Sequence, residues 1–233
     1  MKNKTNTEGQ KFDLHSHTVY SKHWFWGMDA LNTPRQMVKA AIKKGMNGLA
    51  ITDHQTVKGS LVAKSFAKRC KDFIVVTGSE IRTFSGDVVA LGIKEDVPDD
   101  LSLAETIERI HNLGGIAVAA HPFAKFIVRK CVGYEAKRLD AIEVFNAGSC
   151  KGFQNKKAME YANNLNKPKT AGSDAHCMRD AGRAGIICNA RTQDDILDCI
   201  LKKRCSIFGE YTPYRDLAYL SIMKFSRSLK NRI

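Results

Sequence analysis

Lys11-Phe12-Asp13-Leu14-His15-Ser16-His17-Thr18 is the stretch on which the reading of the chain turns. Its apolar start passes at once into a polar run with two histidines two positions apart. On an extended chain such positions project to one side, so the two imidazoles can share a metal ion. The segment reads as a short buried strand, Phe12–Leu14, that ends in chemistry.

The same grammar repeats along the 233 residues. Further strands are expected at Gly48–Thr52, Phe73–Thr77, Val88–Ile93, Ile116–Ala119, Ala141–Phe145, Lys169–Gly172, Gly185–Cys188 and Ser206–Phe208. They are short and apolar, as parallel strands buried on both faces should be. Amphipathic helices fall between them. Thr33 with Pro34 starts one that Gly45 follows, and Ser102 with Glu105 starts another before Gly114. Thr192 with Asp195 starts a third, and Lys156–Leu165 forms a fourth, ended near Asn166 and Pro168. Strand and helix in alternation imply a parallel sheet with right-handed crossovers, open or closed into a barrel. In either form the active site lies at the carboxyl ends of the strands.

The polar motifs fall there. Thr52-Asp53-His54, Gly78-Ser79-Glu80, Ala120-His121-Pro122 and Ser173-Asp174-Ala175-His176 each follow a strand. Asp174 and His176 repeat the i, i+2 spacing of His15 and His17, and Glu80 adds a carboxylate able to bridge two ions. Mixed nitrogen and oxygen ligands suit Zn, Mn or Fe better than Ca or a thiolate-bound ion. Taken singly, each group is as well explained by a surface charge or a loop-orienting residue. Their joint placement after successive strands points to one metal site.

Composition sets the outer bounds. The length fits one domain with one core. Met1–Lys11 is polar and no apolar run reaches membrane-spanning length, so the chain reads as cytoplasmic, with no membrane partner. Seven cysteines without a Cys-x-x-Cys pair read as reduced thiols. The formal charge of +13 favours phosphorylated and polyanionic partners without naming one. Basic residues gather in Lys125–Lys137, in Lys151–Lys157 and from Lys224 to Arg232. The last group is expected either to touch nucleic acid or to fray. The expected division is a flexible N-terminus (1–10), a catalytic domain (11–210) and a basic C-terminal segment (211–233). Oligomeric state leaves no mark on the sequence.

Together the motifs at 13–18, 50–54, 78–81, 120–122 and 172–176 resemble, in order, those of the PHP family, the polymerase and histidinol phosphatase domains. The resemblance implies an α/β fold, a distorted (β/α)7 TIM-like barrel. It also implies phosphoester hydrolysis at two or three divalent metal ions (Mn, Zn or Fe). By resemblance His15, His17, Glu80 and Asp174 serve one metal. Glu80 bridges to a second that His121 binds, and His54 and His176 serve a third. The family supplies one more ligand after the first motif, for which His23 and Asp29 are the candidates, Asp29 slightly favoured. Where the family often has Gly-His, this chain has Gly86-Asp87, so Asp87 stands in for an imidazole. Trp24–Trp26 between them are either a core plug or a rim that stacks on a base.

A metal-activated hydroxide would attack phosphorus in line. His121 or His176, if not on a metal, would protonate the leaving oxygen. Asp53 is expected to orient a ligand. Arg183, Arg35 and Arg82 are candidate phosphate clamps, and Asn146 is expected to point into the same mouth. The substrate would be a phosphomonoester such as a nucleotide, a sugar phosphate or histidinol phosphate. The alternatives are an exonuclease acting on DNA or RNA and a non-catalytic, metal-stabilised binding module.

Overall fold

A computed structural model describes residues 9–23, 27–124, 131–149 and 152–230. Residues 1–8, Trp24–Trp26, Lys125–Lys130, Cys150, Lys151 and 231–233 lie outside the described residues, as does the side chain of His23.

The strands are β1 (Gln10–Asp13), β2 (Lys22–His23), β3 (Gly27–Met28), β4 (Gly48–Ile51), β5 (Ile74–Arg82), β6 (Asp87–Leu91), β7 (Ile116–Ala119), β8 (Ala141–Asn146), β9 (Lys169–Gly172), β10 (Ala184–Cys188) and β11 (Ser206–Gly209). The helices are α1 (Pro34–Lys43), α2 (Lys58–Ala67), α3 (Leu103–Asn112), α4 (Gly152–Asn164), α5 (Gln193–Leu201) and α6 (Tyr214–Lys230), with a 3-10 turn at Gly133–Arg138. Thr33, Ser102 and Thr192 each close a capping box, so the local start signals operate as written in the sequence. At the start of α2 Val57 gives no side-chain cap; Thr56 Oγ1 accepts from Lys58 N (3.2 Å) and Asp96 Oδ1 from Val57 N (2.7 Å).

One sheet runs β11-β10-β1-β4-β5-β6-β7-β8-β9, and β2 pairs separately with β3. Beyond their named ends β1 and β9 meet. Leu14 N donates to Ala171 O (3.4 Å), Asp174 N to His15 O (2.8 Å) and His17 N to Ala175 O (2.9 Å). The result is a nearly closed barrel sheet with helices around it. Its inside is filled: Leu14, Val89, Leu91, Val118, Glu143 and Thr170 surround a space of only about 10 Å³. On the outside, Met37, Val38 and Ala41 of α1 and Ala63 of α2 bury against Leu49, Ile51 and Val75.

The expectation of uniformly parallel strands needs correction. β1, β4 and β5 are parallel, as are β7, β8 and β9, but β6 runs against both its neighbours. Between Arg82 and Asp87 lie only Thr83, Phe84, Ser85 and Gly86, too few for a crossover, so β5 and β6 form a hairpin. β10 and β11 are antiparallel too. The reversal matters for the site. Because β6 runs backwards, its first residue, Asp87, lies at the end of the barrel where the other strands finish. The third strand is also longer than expected, so Glu80 sits inside β5 rather than after it.

Closure depends on a glycine. A Cβ on Gly172 would lie 2.3 Å from His15 Cβ and 2.7 Å from His15 N. Gly172→Ala is therefore expected to push β9 off the first motif. It should cost at least about 1–3 kcal/mol of stability, read by urea unfolding.

Candidate metal centre

Four groups of potential ligands converge at the mouth. They are His15, His17 and Glu80; His15, His121 and Asp174; Glu80, Asp87 and His121; and His17, Asp29, His54 and His176. Within each, one ligand atom per residue lies within 4.8 Å of the others. Side chains from seven places in the sequence thus share one pocket, and shared members join the groups into one cluster.

Glu80 is its centre. Fully buried, Glu80 lies 3.3 Å from His15 Nε2, His17 Nε2 and His54 Nδ1 through Oε2, and 3.0 Å from His121 Nε2 through Oε1. Among the described residues its ionic partners are all imidazoles.

The ring orientations follow from what holds the outer nitrogen. His15 Nδ1 donates to Glu143 Oε1 (3.0 Å), and His176 Nδ1 to the backbone O of Asp174 (2.9 Å). His17 Nδ1 donates to Ser21 Oγ (3.2 Å). With each Nδ1 so bound, each Nε2, once deprotonated, turns a lone pair into the pocket. His15 Nε2 and His17 Nε2 face each other at 3.2 Å, a spacing that suits two ligands of one cation. Among the described residues His121 Nδ1 is buried without a hydrogen-bond partner. These donors fit divalent metal ions: imidazole nitrogens converge on buried carboxylates, and among the described residues no lysine or arginine balances Glu80.

Two members carry unusual backbone. His121 has φ +30° and Asp174 φ +52°. Such conformations cost about 1–3 kcal/mol each and persist only where the surroundings impose them. Here Glu143 Oε2 accepts from His121 N (2.7 Å), and His15 O accepts from Asp174 N.

The electrostatics reflect a demand for positive charge. Burial alone would depress the His15 imidazole, but Glu143, Asp174 and Glu80 hold its pKa well above the usual value. His17, against the same burial, is raised to about 9 by Asp174 and Glu80. In the outer group burial dominates: His54 is lowered to about 3 and His176 is lowered too, so both are neutral ligands at pH 7. Burial would raise the Asp29 carboxyl, but His176, Lys224 and His54 hold it well below the usual range. A cation entering the inner group must displace a proton from His17 at any pH below about 9. Metal affinity is therefore expected to rise with pH over this range, about tenfold per unit for each proton displaced. Metal titration at pH 6, 7, 8 and 9 checks it.

The remaining expected residues divide. Asp87 and Asp29 join the clusters. Asn146 is buried and its Nδ2 donates to Glu143 Oε2 (3.2 Å) and Asp174 Oδ2 (3.3 Å). Arg82 lies at the rim, Nε 3.7 Å from Asp87 Oδ1. Asp53 bonds to the residue after His17 rather than to an imidazole. It accepts from Thr18 N and Thr18 Oγ1, and so ties the first motif to the second. Burial raises its pKa to about 6. Arg183 is engaged away from the ligand groups, by Asp180 (3.1 Å) and Asp216 (2.8 Å). Arg35 lies over the Phe66 ring.

Two functional residues lay outside the sequence expectations. Glu143 orients His15, His121 and Asn146 from the middle of β8. Its signal was a lone carboxylate in the apolar run Ala141-Ile142-Glu143-Val144-Phe145. Glu143→Gln is expected to lower metal affinity about 10–100-fold, measured by competition with a chelating dye. The second is Lys224 of α6, whose Nζ lies 2.8 Å from Asp29 Oδ1. The segment for which contact with nucleic acid and fraying were the alternatives is a helix through Lys230.

The PHP domain model matches residues 13–121, and the PHP-associated model matches residues 152–205. An uncharacterized protein of Methanocaldococcus jannaschii is 41% identical over 155 residues, 64% of this chain and 89% of that protein. A two-domain protein of Bacteroides vulgatus, containing a predicted PHP-like metal-dependent phosphoesterase, superposes with a TM-score of 0.69 at 18% identity. That match covers 86% of this chain, which spans 65% of that protein's length. PsfC from Pseudomonas syringae superposes with a TM-score of 0.68 at 18% identity, over 93% of this chain and 98% of that one.

Proposed function

Because the chain belongs to the PHP domain family, we propose that it is a metal-dependent phosphoesterase that hydrolyses a phosphomonoester. We read the nearly closed sheet as a distorted (β/α)7 barrel, with 11–210 as the catalytic unit. The observation that carries the reading is the meeting of four imidazoles on the buried Glu80. His15, His17, Glu80, Asp87, His121 and Asp174 would hold the inner ions, and Asp29, His54 and His176 with His17 an outer one. Bound divalent ions supply an activated water and neutralise charge on the phosphoryl oxygens.

The protein's own part is to fix and shield. Glu143 holds His15 and the His121 backbone, so the ligands need no rearrangement when a phosphate arrives. Asn146 holds Asp174 and Glu143 apart at hydrogen-bond distance. Next to it a cavity of about 290 Å³ opens, lined by Gly148, Ser149, Tyr211 and Tyr214 among others. A Cβ on Gly148 would lie 3.3 Å from Asn146 Oδ1 and 3.5 Å from Asp174 Oδ2, so the cavity adjoins the ligand groups. It is large enough for a sugar or a base, and small beside an oligonucleotide. A nucleotide, a sugar phosphate or histidinol phosphate would seat its leaving group there.

A second reading, exonuclease action on DNA or RNA, draws on the charge of +13. Phosphate release from these monoesters, beside degradation of labelled oligonucleotides, with Mn, Zn or Fe, separates the two. EDTA-sensitive release from a monoester is expected. Release that survives complete metal removal, or none from any monoester, would overturn the proposal.

A further inference from the structure

We propose that Lys224, carried on α6, is a substrate-binding residue of this site, whose ammonium receives an oxygen of the phosphate group. The inference rests on the phosphoesterase reading and names a part of the site that lies outside both matched family segments, 13–121 and 152–205.

The geometry comes first. Asp29 divides its two oxygens: Oδ2 faces His176 Nε2 at 2.7 Å, and Oδ1 faces Lys224 Nζ at 2.8 Å. Lys224 therefore stands on the outer side of the carboxylate and leaves the space among the imidazoles open to a cation. An ammonium has three donors. Among the described residues Asp29 is its one hydrogen-bonding partner, which leaves two N–H groups. Its side chain is 28% exposed while that of Asp29 is 3% exposed, so solvent, and a ligand, reach the lysine.

Charge comes second. Asp29, Glu80, Asp87, Glu143 and Asp174 all lie within this mouth. A phosphate dianion approaching them is repelled unless cations meet it, and bound metals offset only part of that field. Besides Arg82, which lies against Asp87, Lys224 is the protein cation found at these groups among the described residues. The expected clamps Arg183 and Arg35 are committed elsewhere.

Third, the lysine is held in place. Asp216 of α6 pairs with Arg183, and the Arg179 guanidinium stacks 3.7 Å over the Tyr219 ring. Arg227 Nη1 donates to Leu31 O (2.9 Å), and Leu31 N donates to His176 O (2.8 Å). Positions 216, 224 and 227 fall on one helix face, so α6 is docked along its length onto the segment that carries Asp29. Arg183 thus serves the phosphate site indirectly, by fixing the helix that brings the lysine.

The test uses metal-loaded wild type, Lys224→Gln and Lys224→Arg. Binding of inorganic phosphate is measured by calorimetry, metal content by plasma mass spectrometry, and kcat and KM on the best monoester. Lys224→Gln is expected to weaken phosphate binding and raise KM about tenfold, the loss of one charge-assisted hydrogen bond, with metal content unchanged and kcat less affected. Lys224→Arg should restore most of the affinity. Altered metal content with phosphate affinity intact would overturn the inference, since Lys224 would then act only through Asp29. Unchanged behaviour in Lys224→Gln would overturn it equally. Wild type that binds phosphate through Lys224 yet hydrolyses no monoester would sink the phosphoesterase reading and leave this inference standing.

Discussion

Glu80→Gln is expected to lower kcat/KM for phosphate release by at least about 10³-fold, on the order of 4 kcal/mol of transition-state stabilisation. Glu80 meets four of the candidate ligands at once. Its Oε2 lies 3.3 Å from three imidazole nitrogens and its Oε1 3.0 Å from a fourth. The amide is nearly isosteric, so the fold should persist, but it removes the full charge that two of the inner groups share. It also places an NH2 where a lone pair is needed. His15 and His17 owe part of their raised pKa to that charge. Without it both become easier to deprotonate but lose the bridging partner that would keep two ions in one pocket. Metal content measured on the same samples should fall together with activity. Normal activity in Glu80→Gln at full metal content would mean that the clustered residues are not the catalytic centre.

Asp13→Ala is expected to destabilise the protein by about 3–5 kcal/mol, the range for removing one partner from a buried charged network. Asp13 is fully buried and accepts four hydrogen bonds. They come from His15 N (3.3 Å), Ser173 N (2.9 Å), Ser173 Oγ (2.6 Å) and Gly182 N (2.8 Å). Two of its donors belong to Ser173, after β9, so one carboxylate ties the end of β1 to the end of β9, where the barrel meets itself. Alanine leaves these buried donors without that acceptor. The same contact sets His15 against Asp174, so metal affinity should fall with stability. Urea unfolding reads the first effect. A change below about 1 kcal/mol would show that closure is held by the backbone bonds alone.

How much of this was legible beforehand varies by residue. The i, i+2 spacings at 15–17 and 174–176 and the strand-end placement of His54 and His121 were enough to bring together most of the residues that cluster at the mouth. The capping boxes at Thr33, Ser102 and Thr192 were enough to start three helices. Asp87 was readable as a candidate, but its place at the mouth needed the β5–β6 hairpin, which the four-residue link encodes and the alternating-pattern reading passed over. Glu143 was hidden by its apolar neighbours. Arg183 misled in the other direction: nearness to His176 in sequence did not survive two acidic partners, Asp180 and Asp216.

What the sequence determined alone is which side chains leave the chain together. The extended backbone has a period of two and each strand ends locally, so neighbours in sequence share a side and an end whatever the fold around them. What only the tertiary structure decided is which of those groups face one another. Glu143 against His15 spans 128 residues, Asp13 against Ser173 spans 160, and Asp29 against Lys224 spans 195. No local periodicity encodes such pairs, because ring closure and the docking of α6 set them, and both are properties of the whole packed chain.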